Sequence, residues 1–109
     1  MTNPHSVLVN QILVALSRAG VLAWKNHTGM GVSLSGNPIK FGLVGSSDIL
    51  GVIPPDGRFL GVEVKTGTGK QRKRQGKFET AVASRGGLYI VARSVEDALA
   101  AIPSISERR

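Results

Sequence analysis

Ser47-Asp48-Ile49-Leu50-Gly51-Val52-Ile53-Pro54-Pro55-Asp56-Gly57-Arg58-Phe59-Leu60-Gly61-Val62-Glu63-Val64-Lys65 reads as two strands joined by a tight turn. Residues 47–53 and 58–65 are mostly aliphatic. Between them, Pro54-Pro55-Asp56-Gly57 has turn chemistry, since proline presets φ and glycine accepts a positive φ. If residues 54 and 57 close a two-residue hairpin loop, Asp48 sits directly opposite Glu63, with Cβ atoms about 4.5–5.5 Å apart. Like charges at that spacing repel unless a cation lies between them. Lys65 follows two residues after Glu63 on the same face, because side chains alternate along a strand. A type I turn with a glycine bulge would instead shift this register by one.

Working outward, residues 5–19 carry apolar side chains at Leu8, Ile12, Ala15, Leu16 and Ala19, a helical stripe that Gly20 ends. Residues 21–26 read as a short strand holding the single tryptophan, Trp24. Residues 27–45 contain five glycines and one proline and resist assignment, with one strand expected at 39–44. After the hairpin come a glycine loop at 66–70 and a helix at 72–85 stopped by Gly86-Gly87. A buried strand at 88–92 and a helix at 94–101 with Ser94 as N-cap follow, closed by Pro103. The tail beyond Pro103 is expected to fray. The order, approximately αβββαβα, predicts an α/β fold: one domain with a small mixed β-sheet flanked by helices.

The chain has 109 residues, 14 Lys and Arg, and only seven Asp and Glu, for a net charge of +7. A pI near 10.6 favours a polyanionic partner, nucleic acid before membrane, because no basic amphipathic helix stands out. The lack of cysteine excludes disulfides, thiolate zinc sites and cysteine nucleophiles. His5 and His27 alone cannot build an ordinary structural zinc site. No secretory signal or membrane-length apolar run is read, so a cytoplasmic location is expected.

In so basic a chain, two carboxylates set among apolar and glycine residues suit a divalent-metal site facing an anionic polymer. Magnesium takes oxygen ligands and often keeps several waters beside one or two carboxylates. It can polarise a phosphate and acidify an attacking water. Lys65 would orient that water or stabilise the charged transition state. Together these point to a nuclease. An ordinary charged sheet face is the competing explanation of the same residues.

The segments Gly45-Ser46-Ser47-Asp48-Ile49-Leu50-Gly51, Glu63-Val64-Lys65-Thr66, Gln75 and Gly86-Gly87-Leu88-Tyr89 together resemble the virus-type replication-repair nuclease (VRR-NUC) domain of the PD-(D/E)XK superfamily. Trp24-Lys25-Asn26-His27-Thr28-Gly29 is similar to that family's early W-(R/K)-N-x-(T/S)-G segment. The resemblance implies a restriction-endonuclease-like fold and a Mg2+ or Mn2+ cofactor. It implies that Asp48 and Glu63 are metal ligands, with the Val64 carbonyl a further ligand, and that Lys65 is the catalytic lysine. Gln75 would support the site from the next helix. Stand-alone family members are homodimers that cut branched DNA, including four-way junctions, which implies a phage or bacterial Holliday junction resolvase. One departure stands out. Many relatives carry a glutamate early in the first helix, whereas this chain has no acid before Asp48 and places His5 or Ser6 there. His5 is expected to be a surface histidine, with metal ligation or water positioning as the alternative.

Gln75, Phe78 and Val82 share one helical face that should pack on the sheet, where the glutamine amide would find a partner near Lys65 or a metal-bound water; a solvent-exposed glutamine at the helix start is the alternative. Lys65, Lys70, Arg72, Lys73, Arg74 and Lys77 form a segment with no acid, suited to binding DNA phosphates in a salt-sensitive way. Asn26 and His27 are further candidate DNA contacts, or else form the turn after their strand. Two other classes fit the charge pattern: a non-catalytic DNA-binding module of the same fold, and a subunit interaction domain of a replication or repair assembly.

Overall fold

The computed structural model describes residues 3–67 and 73–102, with the side chains of all these except Phe41, Lys73 and Arg74. The expected loop residues 68–70 and the tail from Pro103 lie outside the described residues. The elements are α1 (Pro4–Arg18), β1 (Leu22–Lys25), β2 (Gly29–Val32), β3 (Pro38–Phe41), β4 (Ile49–Ile53), β5 (Arg58–Val64), α2 (Lys73–Ser84), β6 (Leu88–Ala92) and α3 (Val95–Ala101). They form a small mixed α/β domain.

The hairpin 47–65 builds the centre of the sheet. Strand order is β1-β4-β5-β6, with β4 antiparallel to β1 and β5, and β6 parallel to β5 across the α2 crossover. Ile49 pairs with Val62 and Ile53 with Arg58, the register expected from the turn. The loop itself differs in length. Four residues, Pro54–Gly57, lie outside the ladder, Gly57 N–H donates to Ile53 O at 3.0 Å, and Gly57 takes φ +76°. A four-residue loop centred on the same point leaves the pairing unchanged.

One face of the sheet carries the core. Leu60, Val62 and Val64 of β5, Ile49 and Ile53 of β4, and Ile90 and Ala92 of β6 pack with Val9, Ile12 and Leu16 of α1 and Ala98 of α3. Of the expected stripe, Ile12 and Leu16 are buried and Leu8 and Ala15 partly so, while Ala19 is exposed beyond the helix end and Val9 takes a core position the stripe did not include. The opposite face is covered around β5 and β6 by α2. Phe78 meets Tyr89 edge-on with ring centroids 6.1 Å apart, and Val82 is buried. Gly61 permits this approach: a Cβ there would lie 2.8 Å from Ser47 Oγ and 3.3 Å from the Phe78 ring.

Residues 27–45 resolve differently from expectation. The strand expected at 39–44 is present as β3, shorter and shifted to Pro38–Phe41, and β2 pairs with it antiparallel as a separate two-stranded sheet, closed by Ser33 N–H to Asn37 O at 2.8 Å. Glycines at 29 and 31 interrupt the strand pattern of β2, and Met30, Val32 and Ile39 remain exposed, so no buried alternation marked these strands. The expected helix ends at Ser94 and Gly86-Gly87 hold. Ser94 accepts a hydrogen bond from Asp97 N–H at 3.1 Å, while the Asp97 carboxylate accepts one from Arg93 N–H at 2.9 Å. Among the described residues, no helix is long and apolar enough to cross a membrane.

Candidate active site

Asp48 is the last residue before β4, and a knot of short-range bonds sets its position. Asn26, just past β1, donates its backbone N–H to the Asp48 carbonyl at 2.8 Å. Its side-chain amide donates to Ser46 Oγ at 2.7 Å and to Ser47 O at 2.8 Å. Ser46 Oγ in turn donates to Leu43 O at 2.6 Å, and buried Ser47 donates to Ile49 O at 3.0 Å. The edge strand β1 therefore holds the carboxylate's backbone through a single asparagine.

Beyond the last ladder pair, the Asp48 side chain takes over the role of a strand partner. Its Oδ2 accepts from Val64 N–H at 2.8 Å, which anchors the carboxylate to the end of β5. Glu63, one residue earlier, is only 2% exposed, and its Oε2 is buried with no hydrogen-bond partner among the described residues. Burial, a hydrogen bond with Asp48 and that residue's negative charge push the Glu63 carboxyl up from 4.5 to about 8. The Lys65 charge and a hydrogen bond from the Asp48 backbone pull the other way, but less strongly. A buried carboxyl oxygen left without a partner costs stability. It is the kind of atom that a cation would satisfy.

Lys65 and Gln75 meet as their strand and helix positions predicted: Lys65 Nζ donates to Gln75 Oε1 at 3.1 Å. His5 also enters the site. Asn3 caps α1 by accepting from His5 N–H at 2.8 Å and Pro4 occupies the first helical position, so the first turn aims the imidazole at the end of β5. Its Nε2 lies 3.0 Å from Val64 O and 3.3 Å from Asp48 Oδ2. A carbonyl only accepts, so Nε2 carries the hydrogen in this arrangement. The side chain expected at the surface is 40% exposed, yet its ring tip lines the cleft. The Asn3-Pro4 helix start was the available signal, because it fixes where the first turn begins.

His5, Asp48, Glu63, Val64, Lys65, Thr66 and Gln75 together line an open cleft of about 350 Å³. A larger groove of about 540 Å³ along α1 is lined mainly by apolar side chains such as Val7, Val14 and Val95, and lacks any acid. Among the described residues, no three His, Cys, Asp or Glu side chains already form a metal-holding cluster. The donor set nevertheless fits a hard divalent cation, which commonly uses one or two carboxylates and completes its shell with water. The unpartnered Glu63 oxygen, Asp48 and the Val64 carbonyl are the oxygens in place.

The candidate phosphate contacts divide. Lys70 and Arg72 lie outside the described residues, and Lys73 and Arg74 begin α2 with their side chains outside the description. Lys77 is exposed on α2, and His27 is exposed just after β1. Asn26, proposed as a DNA contact or a turn residue, spends its side-chain donors on Ser46 and Ser47. Sequence reasoning missed this positioning role, and also missed Ser46 and Ser47 as its partners. No protein-family model matches the chain, and a search of curated proteins finds no match.

Proposed function

We propose that this chain is a metal-dependent endodeoxyribonuclease with a VRR-NUC-like, PD-(D/E)XK-type fold. The observation that carries this reading is the buried Glu63 Oε2, without a partner among the described residues, on a residue that lines a cleft together with Asp48 in a strongly basic protein. Asp48, joined by Glu63 once that carboxyl ionises, would repel a polyanion unless a cation intervenes. Asp48, Glu63 and the Val64 carbonyl would hold Mg2+ or Mn2+, which supplies charge neutralisation at the phosphate and acidifies water.

The remaining steps belong to the chain's own groups. Lys65, whose Nζ donates to Gln75 Oε1, would offer a positive charge to the phosphoryl oxygens and the attacking water. Water adds to phosphorus, the bond to the leaving oxygen breaks, and the products are a phosphate monoester and a free hydroxyl. Lys70, Arg72, Lys73, Arg74 and Lys77 would grip the backbone, so recognition follows DNA shape in preference to base sequence. The preferred substrate is branched DNA such as a four-way junction, cut by a homodimer, since a two-fold substrate needs two equivalent sites.

The test is cleavage of a labelled four-way junction beside a linear duplex of matched sequence, with magnesium, manganese or chelator, using wild type and Glu63→Ala. Metal-dependent cutting of the junction alone, lost in the variant, is the expected result. Cutting of both substrates would leave a general nuclease. Tight binding with no cutting under any metal would overturn the enzymatic reading in favour of a non-catalytic DNA-binding module.

A further inference from the structure

We propose that His5 Nε2 is a direct ligand of the cation and biases the site toward first-row transition ions such as Mn2+ and Co2+ over Mg2+. This rests on the metal-site reading above and adds to it a nitrogen donor from α1. Three observations carry it. The ring tip touches two of the oxygens that would hold the metal, at 3.0 Å from Val64 O and 3.3 Å from Asp48 Oδ2. Neighbouring ligands around an octahedral ion with bonds of about 2.1 Å lie about 3 Å apart, so these separations are those of adjacent ligand positions. The third is that Glu63, whose buried Oε2 has no partner among the described residues, lines the same cleft as His5.

The chemistry then decides which ion. Neutral imidazole offers the Nε2 lone pair once its hydrogen sits on Nδ1, which no described side chain here prevents. Imidazole suits the later first-row ions, while carboxylate, carbonyl and water suit magnesium. A site of two carboxylates, one carbonyl and one imidazole is therefore mixed, and affinity should rise from Mg2+ through Mn2+ to Co2+. The hydrogen bond to Val64 O keeps the ring in place until the ion takes over both oxygens.

The experiment is calorimetric titration of the full chain, without DNA, with CoCl2 and separately with MgCl2, together with the visible absorption of the cobalt complex. Wild type, His5→Gln, His5→Glu and Glu63→Gln are compared. The expected result is a loss of cobalt affinity of about tenfold or more in His5→Gln, with magnesium affinity within about threefold and a changed cobalt spectrum. His5→Glu should restore an oxygen donor and move the cobalt-to-magnesium ratio toward magnesium. An unchanged ratio and spectrum in His5→Gln, with both ions lost in Glu63→Gln, would overturn ligation by His5 while keeping the metal site. Failure of wild type to bind either ion would overturn the metal site itself, and the proposal with it.

Discussion

Replacing Glu63 with glutamine should stabilise the metal-free protein, and the gain should grow with pH. The carboxyl is 2% exposed and raised from 4.5 to about 8, mainly by burial and by Asp48. Between those values the folded chain keeps a proton that the unfolded chain has released. Folded protein thus binds more protons, and its stability falls as pH rises. The favourable contribution is complete below pH 4.5 and is lost as pH climbs through about 8. At about 1.4 kcal/mol per tenfold change in proton affinity, the whole effect is bounded near 5 kcal/mol. The portion that develops between pH 5 and pH 7 is about 2–3 kcal/mol. Glutamine preserves the shape, can donate to Asp48 as the protonated acid does, and never ionises. For a chain of this size 1 kcal/mol is roughly 4–5 °C, so the variant's advantage in melting temperature should widen by roughly 10 °C over that interval. Thermal melts followed by circular dichroism in chelator, at intervals from pH 5 to 9, measure it. Added manganese should then raise the wild-type midpoint at pH 8 and leave Glu63→Gln unmoved. Parallel pH profiles for the two proteins would refute the reasoning, because they would mean that Glu63 is ionised and satisfied in the folded state.

Three further substitutions separate position from chemistry. Lys65→Met should cut the single-turnover cleavage rate by about 10²–10³ while leaving junction affinity within about threefold, as read by gel shift. Asn26→Ala removes two hydrogen bonds that fix the Ser46–Asp48 backbone, and should cost about 1–3 kcal/mol in urea unfolding and lower cleavage without abolishing it. Gly61→Ala places a methyl 2.8 Å from Ser47 Oγ and 3.3 Å from Phe78, and should cost about 1–3 kcal/mol; an unchanged urea midpoint would mean that the two elements yield freely.

What could be read from the chain, and what could not, follows from where each interaction is encoded. The hairpin register was legible because strand alternation and a symmetric turn fix it locally, and Glu63, Lys65 and Gln75 took their places from strand and helix periodicity. The burial of α1 followed from its stripe in the same way. The β2–β3 pair was not legible, since its strands are short, glycine-rich and exposed, and pair only with each other. His5 was placed at the surface because its partners, Asp48 and Val64, are 43 and 59 residues away and no local pattern reports such contacts. The positioning role of Asn26, a candidate DNA contact or turn residue by sequence, is hidden for the same reason: its amide serves a segment twenty residues on.

The hairpin register also determines where this chain can accept foreign sequence. A single residue added within Arg58–Val64 would turn Glu63 toward the face that carries Val62 and push a carboxylate into the α1 side of the core. An insertion between Pro55 and Gly57 changes no pairing, because the ladder closes at Ile53 and Arg58 and residues 55–57 are already exposed. That turn lies about 16 Å along the strands from Asp48, at roughly 3.3 Å per residue. A fluorophore or an affinity peptide spliced there would report on the protein from the far end of the sheet, leaving both carboxylates facing the cleft.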